Sequence, residues 1–470
     1  MEHTAHLTSL NVQAASEQIR SGKVTSVELT HACLDRIAKL DPELNAFITV
    51  TGESAILESE MLDAELRDGS YRGPLHGIPI ALKDLIDTRG VRTTAASAVY
   101  EKRVPEQDAQ VVRRLRAAGA VFLGKLNLHE FAYGGSAVIS HWGPVHNPWD
   151  LQKTTGGSSS GAAAAVAAGL CYAAIGTDTA GSIRLPSAYC GITGLKPTYG
   201  LVSTAGVIPL CWSYDHIGPM TRTAMDAAIV LDAIAGYDPD DATSAPIAYE
   251  PIAPRISGLR ERLRVGIAGG MFLTELDPEV EQGFKSAMQV LFRILKTTAV
   301  TVDVPLETER AVRLAEPYAY HAPLLKHSAH LYQPATLIRI KSGEGISAAE
   351  YLQRRQELFT FRKRTDTLFE NVDLIASPCV PSLPARIDDL VNDAAGLRAK
   401  ELHMLRNTRP FNALGTPAIS IPCGLTPNGQ PLALQIAAAR GNDALLLQLA
   451  YAFEQQIQWP QRLPCNPKMK

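Results

Sequence analysis

No C-x-x-C pair occurs among the seven cysteines, Cys33, Cys171, Cys190, Cys211, Cys379, Cys423 and Cys465, whose number is odd and whose spacing is scattered. That argues against both a zinc knuckle and a disulfide framework, and the thiols are expected to be reduced and mostly buried. A basic excess is missing too. The 45 Lys and Arg against 48 Asp and Glu leave a formal net charge of -3, without the positive field that a phosphate backbone selects, so no nucleic-acid partner is expected. The N-terminal MEHTAHLTSLNVQAASEQIR has no positively charged segment leading into an apolar block, so nothing there directs export and a cytoplasmic protein is expected. The one long apolar stretch, Gly161 to Gly176, is mostly Ala and Gly and falls short of the roughly 20 residues that span a membrane. It reads as a buried helix followed by a strand, and no membrane partner is expected.

What is present suffices for large cores: 46% of the 470 residues are hydrophobic and 20% charged. Length alone suggests about two to four domains. From Ser26 to Leu40 the apolar residues follow helical spacing, with Ser26 placed to cap and Glu28 in the first turn. Ile78 to Leu82 reads as a short buried strand that delivers Lys83 at its end. Asp108 to Ala118 predicts a helix and Ala120 to Leu123 a strand, the alternation of an α/β fold. Asn127 to Thr155 is rich in Gly, Pro, His and Trp and has no clean period. It is either a loop that shapes a pocket or a surface connection.

Farther on, helices are expected at about 279–296 and 348–369. Strands are expected near 264–267, 374–377, 418–421 and 432–436. Asp41-Pro42 and Asp238-Pro239 punctuate the chain, and Ala242 to Ser257 has the composition of an insertion or linker.

Common catalytic motifs fail on their context. Gly157-Ser158-Ser159-Ser160-Gly161 formally fits the G-x-S-x-G elbow, which requires a strand immediately before it, yet the preceding residues 147–155 are polar and broken by Pro148. No phosphate loop G-x-x-x-x-G-K-[ST] is present, no lysine completes S-x-x-K, and His129-Glu130 lacks the second histidine of H-E-x-x-H. No metal ligand set is identified. Three segments remain: GIPIALKD with Lys83, GGSSSGAAAAVAAG with Ser158, and GTDTAGSIRLPSAYCG with Ser182.

With these segments the chain closely resembles the amidase-signature family. The resemblance extends to DPELNAF, NLHEFAYG, GLKPTYG, DHIGPMTR, GTPAISIPCG and QPLALQI, nearly the whole length. It implies one large α/β domain over 1–470 with a mixed central β-sheet between α-helices, which replaces the multi-domain expectation. By position it implies Ser182 as nucleophile, Ser158 as a bridging serine in a cis peptide bond with Gly157, and Lys83 as the base. The residue types suit that chemistry. A serine hydroxyl needs a neighbour to take its proton, a lysine serves only if neutral, and burial among Ile78 to Leu82 penalises the ammonium. Ser158 can pass a proton because its hydroxyl both donates and accepts.

The backbone N–H groups of Thr179, Ala180, Gly181 and Ser182 suit an oxyanion hole. Ala180 stands where the family often has glycine. Asp178 and Arg184 flank the loop and are expected to form a structural clamp. No cofactor is expected.

The family members that take malonamate-type acids carry an arginine three residues after the nucleophile. Here that position is Leu185, which makes a small carboxylate substrate the less favoured expectation. Tyr133, Trp142, Leu185 and Trp212, with Phe131 and His141, either line an apolar pocket or belong to the core. The substrate expected is a small-molecule aryl or acyl amide, or a carbamate, with ester cleavage alongside. The alternative is the glutamine-hydrolysing subunit of a tRNA-dependent amidotransferase complex, from whose Leu-Asp-Gln-Ile-Gly-Pro run the segment Ser213 to Pro219 departs.

Overall fold

The short apolar runs become strands of one sheet in the computed structural model of the chain, which describes residues 2–260, 262–307, 309–459 and 464. In chain order the strands are β1 (Phe47–Val50), β2 (Pro79–Lys83), β3 (Val121–Leu126), β4 (His146–Asn147), β5 (Asp150–Thr154), β6 (Ala173–Thr177) and β7 (Thr193–Lys196). Then follow β8 (Ile217–Thr221), β9 (Val265–Ala268), β10 (Ala299–Val302), β11 (Leu374–Pro378), β12 (Ala418–Leu425) and β13 (Pro431–Ala438). The main sheet has 11 strands in the order β1-β3-β2-β6-β8-β7-β12-β13-β11-β9-β10, and β4 pairs with β5 apart from it. It is a mixed sheet. β3, β2 and β6 run parallel, as do β11, β9 and β10, and the other neighbours are antiparallel.

Helices cover the sheet, which is why β2 and β6 are buried throughout and read as continuous apolar runs rather than alternating ones. Ser26–Leu44 and Ser160–Ala167 pack on β2 and β3, and Pro278–Leu295 packs on β11, β12 and β13. The helix Ser160–Ala167 has all eight residues buried. Its small side chains let it lie close to β2, β3 and β6.

Several local expectations are corrected. Thr25, not Ser26, caps the first long helix, in a capping box with Glu28, and the Ser26 hydroxyl donates to the Gly77 carbonyl instead (2.8 Å). Asp41-Pro42 does not end that helix, which runs on to Leu44 with Pro42 inside it; Asp41 Oδ1 accepts from Ala46 N (2.8 Å) at the exit. The helix expected over 348–369 breaks at Lys363 into Ala348–Arg362 and Arg364–Leu368. Apart from these corrections, residues 242–257, expected as an insertion or linker, lie against the body, with Ala245 N donating to Gly200 O, Tyr249 donating to Asp232, and Ile252 buried.

Among the described residues, six cysteines are free thiols, five of them buried and Cys423 partly so. Cys465 lies outside the described residues. None of the helices described is long and apolar enough to cross a membrane.

Candidate active site

Lys83 ends β2 and Thr177 ends β6, and the parallel register that pairs Leu82 with Ile175 sets these two ends side by side. In open α/β sheets such carboxyl ends are where ligands gather. Lys83 Nζ lies 2.7 Å from Ser158 Oγ and 2.7 Å from Thr177 Oγ1. The side chain is fully buried. Burial brings the Lys83 pKa down to about 7, partly offset by the negative charges of Asp178 and Asp215. Such an amine is substantially neutral at physiological pH and can accept a proton.

Ser158 precedes the Ala-rich helix, and its peptide bond with Gly157 is cis. Gly157 N donates to Gly135 O (2.8 Å), Ser159 Oγ to Thr177 O (3.1 Å) and Gly161 N to Asn127 O (2.9 Å). Gly161 is required by close approach: a Cβ there would meet the Ala46 carbonyl oxygen and lie 2.7 Å from Asn127 N and O.

Ser182 lies in the turn between β6 and the helix Arg184–Cys190. Ser159 N donates to Ser182 O (3.2 Å), which joins the two serine loops next to Ser158. Among the described residues the Ser182 hydroxyl has no hydrogen-bond partner, and the residue keeps 4% of its surface open. Asp178 shapes this turn. Its Oδ1 accepts from Gly181 N (2.7 Å) and its Oδ2 from Ile183 N (3.2 Å) and Arg184 Nε (3.0 Å). Burial alone would raise the Asp178 carboxyl, but the Arg184 guanidinium beside it holds it far below the usual carboxylate range. The clamp expected of this pair is therefore present. Arg184 also donates to Thr408 O (2.9 Å), Gln435 (2.8 Å) and Asn412 (2.6 Å).

The donors expected for an oxyanion divide accordingly. Gly181 N–H is engaged by Asp178, whereas the N–H groups of Thr179, Ala180 and Ser182 have no protein partner among the described residues. The four pocket candidates also separate. Leu185 is fully buried and packs under Gly135 and Gly156, so it braces the Ser158 loop from below. Trp142 is half-buried near the Asn45 turn, with the Arg92 guanidinium 5.7 Å from its ring centroid. Trp212 lines a small cavity of about 30 Å³ with Leu85, Asp215 and Thr177, the last a hydrogen-bond partner of Lys83. Tyr133 is buried, two residues from the Gly135 carbonyl that holds the cis loop.

Four contributors went unread in the sequence. Thr177 is the second partner of Lys83, and its place at the end of an apolar run was the signal available. Asp215, whose carboxyl burial raises to about 6, accepts from Thr179, Leu210 N and Cys211 N and faces Lys83 electrostatically. Thr408 donates to Ala180 O (2.7 Å) and Asn412 to Asp178 Oδ1 (2.8 Å), both from more than 220 residues away. No local pattern announces those two.

A family model described as Amidase matches residues 28–447. The chain belongs to the amidase family. One subunit of the glutamyl-tRNA(Gln) amidotransferase of Moorella thermoacetica is 38% identical over 486 aligned positions, covering 97% of this chain and 98% of that one. Among solved structures, a 6-aminohexanoate cyclic dimer hydrolase complexed with substrate superposes with a TM-score of 0.86 at 30% identity, covering 97% of this chain and 99% of that one. The native peptide amidase from Stenotrophomonas maltophilia superposes with a TM-score of 0.79 at 31% identity, covering 97% and 98%. This amidase-family protein is thus an enzyme acting on carbon–nitrogen bonds.

Proposed function

We propose that this enzyme cleaves a carboxamide C–N bond through an acyl-enzyme on Ser182, with Ser158 and Lys83 as its proton relay. The observation that carries the reading is the 2.7 Å contact of Ser158 Oγ with a buried lysine brought to about 7. Neutral Lys83 takes the Ser158 proton as Ser158 takes the Ser182 proton, and Ser182 Oγ attacks the carbonyl carbon. The oxyanion is met by the N–H groups of Thr179, Ala180 and Ser182. The proton returns through Ser158 to the leaving nitrogen, the C–N bond breaks, and water then releases the acid by the same relay. The proposal treats the chain as one functional unit, in keeping with a sheet whose strands run from Phe47 to Ala438.

For the substrate, glutamine as amide donor within a multi-subunit amidotransferase is favoured by the relatives, because the 38%-identical chains from Moorella thermoacetica and Chloroflexus aggregans are named as components of such an amidotransferase. Hydrolysis of free aryl or acyl amides, with carbamates as a variant, is a second reading. It is supported by the likeness to the cyclic dimer hydrolase and the peptide amidase. Ammonia release from glutamine and cleavage of an anilide panel, each with Ser182→Ala as blank and with and without co-purified partner chains, separate them. Glutamine turnover that rises with partners favours the first, and anilide turnover without glutamine turnover favours the second. Wild type indistinguishable from the blank on every amide would sink both.

A further inference from the structure

The chain after the helix Leu397–Met404 keeps winding, with Leu405 N donating to Glu401 O (3.1 Å) and Arg409 N to Leu405 O (3.1 Å). Residues 401, 405 and 408 follow the helical spacing i, i+4 and i+7 and therefore share one face. That face touches both serine loops. Thr408 donates to Ala180 O (2.7 Å) in the Ser182 turn. Leu405 lies between the loops, since a Cβ on Gly181 would come within 3.0 Å of it and one on Gly135 within 3.1 Å. Glu401 is fully buried against the segment 129–136. Its Oε1 accepts from Ser136 Oγ (2.7 Å), and a Cβ on Gly134 would lie 2.6 Å from the same oxygen.

This segment is what holds the Ser158 loop. His129 N donates to Ser158 O (3.2 Å), Gly157 N to Gly135 O (2.8 Å) and Thr154 Oγ1 to Ser136 O (2.5 Å). Its own backbone does not settle its shape. Phe131 and Ala132 take left-handed φ values of 49° and 57°, which persist only where surrounding contacts impose them. Glu401 and Arg339 supply such contacts. Arg339 pairs with Glu401 Oε2 (2.8 Å) and donates to Tyr133 O, and Arg398 stands 3.4 Å from that Oε2. A buried carboxylate with partners on each oxygen holds one orientation, and removing its charge leaves Arg339 buried without an anion.

We infer that Glu401 is a positioning residue for Ser158: it clamps the 129–136 segment from the helical face that carries Thr408, and so sets the bridging serine in register with Ser182. This inference rests on the Ser182 reading above. Glu401 acts through the backbone that carries Ser158 and not on the reacting atoms. A displacement of about 1 Å at a group that must pass a proton can cost about 100-fold in rate.

The test separates a misplaced Ser158 from a shortage of folded enzyme. An amide needs a proton on its leaving nitrogen, which the relay delivers through Ser158, whereas 4-nitrophenolate leaves an ester without one. Values of kcat/KM are compared for 4-nitrophenyl butyrate and for the amide that the enzyme turns over, glutamine or butyric 4-nitroanilide. Glu401→Gln should lower the amide value by about 100-fold and the amide-to-ester ratio by about fivefold or more. Fewer folded molecules would lower both values alike and leave the ratio unchanged. Ser136→Ala, which removes one hydroxyl and keeps the ion pairs, should shift the ratio in the same direction, and it decides the matter if Glu401→Gln does not fold. In a Ser158→Ala background, followed on the ester, Glu401→Gln should cost no more than about twofold further, because the group it positions is gone. An unchanged ratio, or losses that multiply in the double variant, overturns the inference. Wild-type amide turnover by Ser158→Ala protein, or no turnover of any amide, counts against the Ser182 reading itself and removes the inference with it.

Discussion

The pH dependence of turnover follows from a single burial. Lys83 must be neutral to take a proton, and its pKa of about 7 leaves it about 1% neutral at pH 5, half neutral at pH 7 and about 90% neutral at pH 8. The logarithm of kcat/KM should therefore climb with unit slope below pH 6, bend near pH 7 and level off by pH 8 to 9. A lysine at its ordinary value of 10.5 would be about 0.3% neutral at pH 8, and activity would go on rising tenfold per unit to pH 10. Initial rates on one chromogenic amide from pH 5 to 10, at constant ionic strength and well below KM, distinguish the two. Replacing one supporting carboxylate adds a signed check. Asp215→Asn removes a negative charge that favours the Lys83 ammonium, so the bend should move to lower pH. A profile still rising above pH 9, or an Asp215→Asn bend displaced upward, would refute the reasoning.

Lys83→Ala should lower kcat/KM by about 10²- to 10⁴-fold at neutral pH, and a loss below tenfold in stopped-time assays would show that another group takes the proton. Arg184→Met leaves the buried Asp178 carboxylate without its cation, and the unfolding midpoint in urea should fall by the equivalent of about 3–5 kcal/mol. A midpoint within error of wild type would contradict the clamp. Gly161→Ala drives a Cβ into the backbone of Ala46 and Asn127, so it should destabilise the protein by about 1–3 kcal/mol and reduce activity; a thermal melt and assay like the wild type's would show that this approach is not tight.

The elements nearest the chemistry were the most legible. β2, β6 and the Ala-rich helix are short, wholly buried and continuous in composition, so their apolar runs identify them to within a few residues. Elements elsewhere were harder. The helix Ala311–Ser328 contains Pro317 and Pro323, which mask a helical pattern, and the break at Lys363 has no glycine or proline to mark it. At the candidate site, Lys83, Ser158 and Ser182 stand out in the sequence because each lies in a distinctive local segment. Thr408 and Asn412 do not, because their effect depends on the fold bringing residues 178–184 against 408–412.

The central claim is that Ser182 carries the acyl group. Intact-mass and peptide mass spectrometry after rapid acid quench of the enzyme with a slowly deacylating amide or ester tests it directly. The account predicts an adduct of acyl mass on the peptide containing Ser182, absent from a folded and inactive Ser182→Ala protein. An adduct on another residue, or a Ser182→Ala protein that still turns amides over at near wild-type rates, would contradict it.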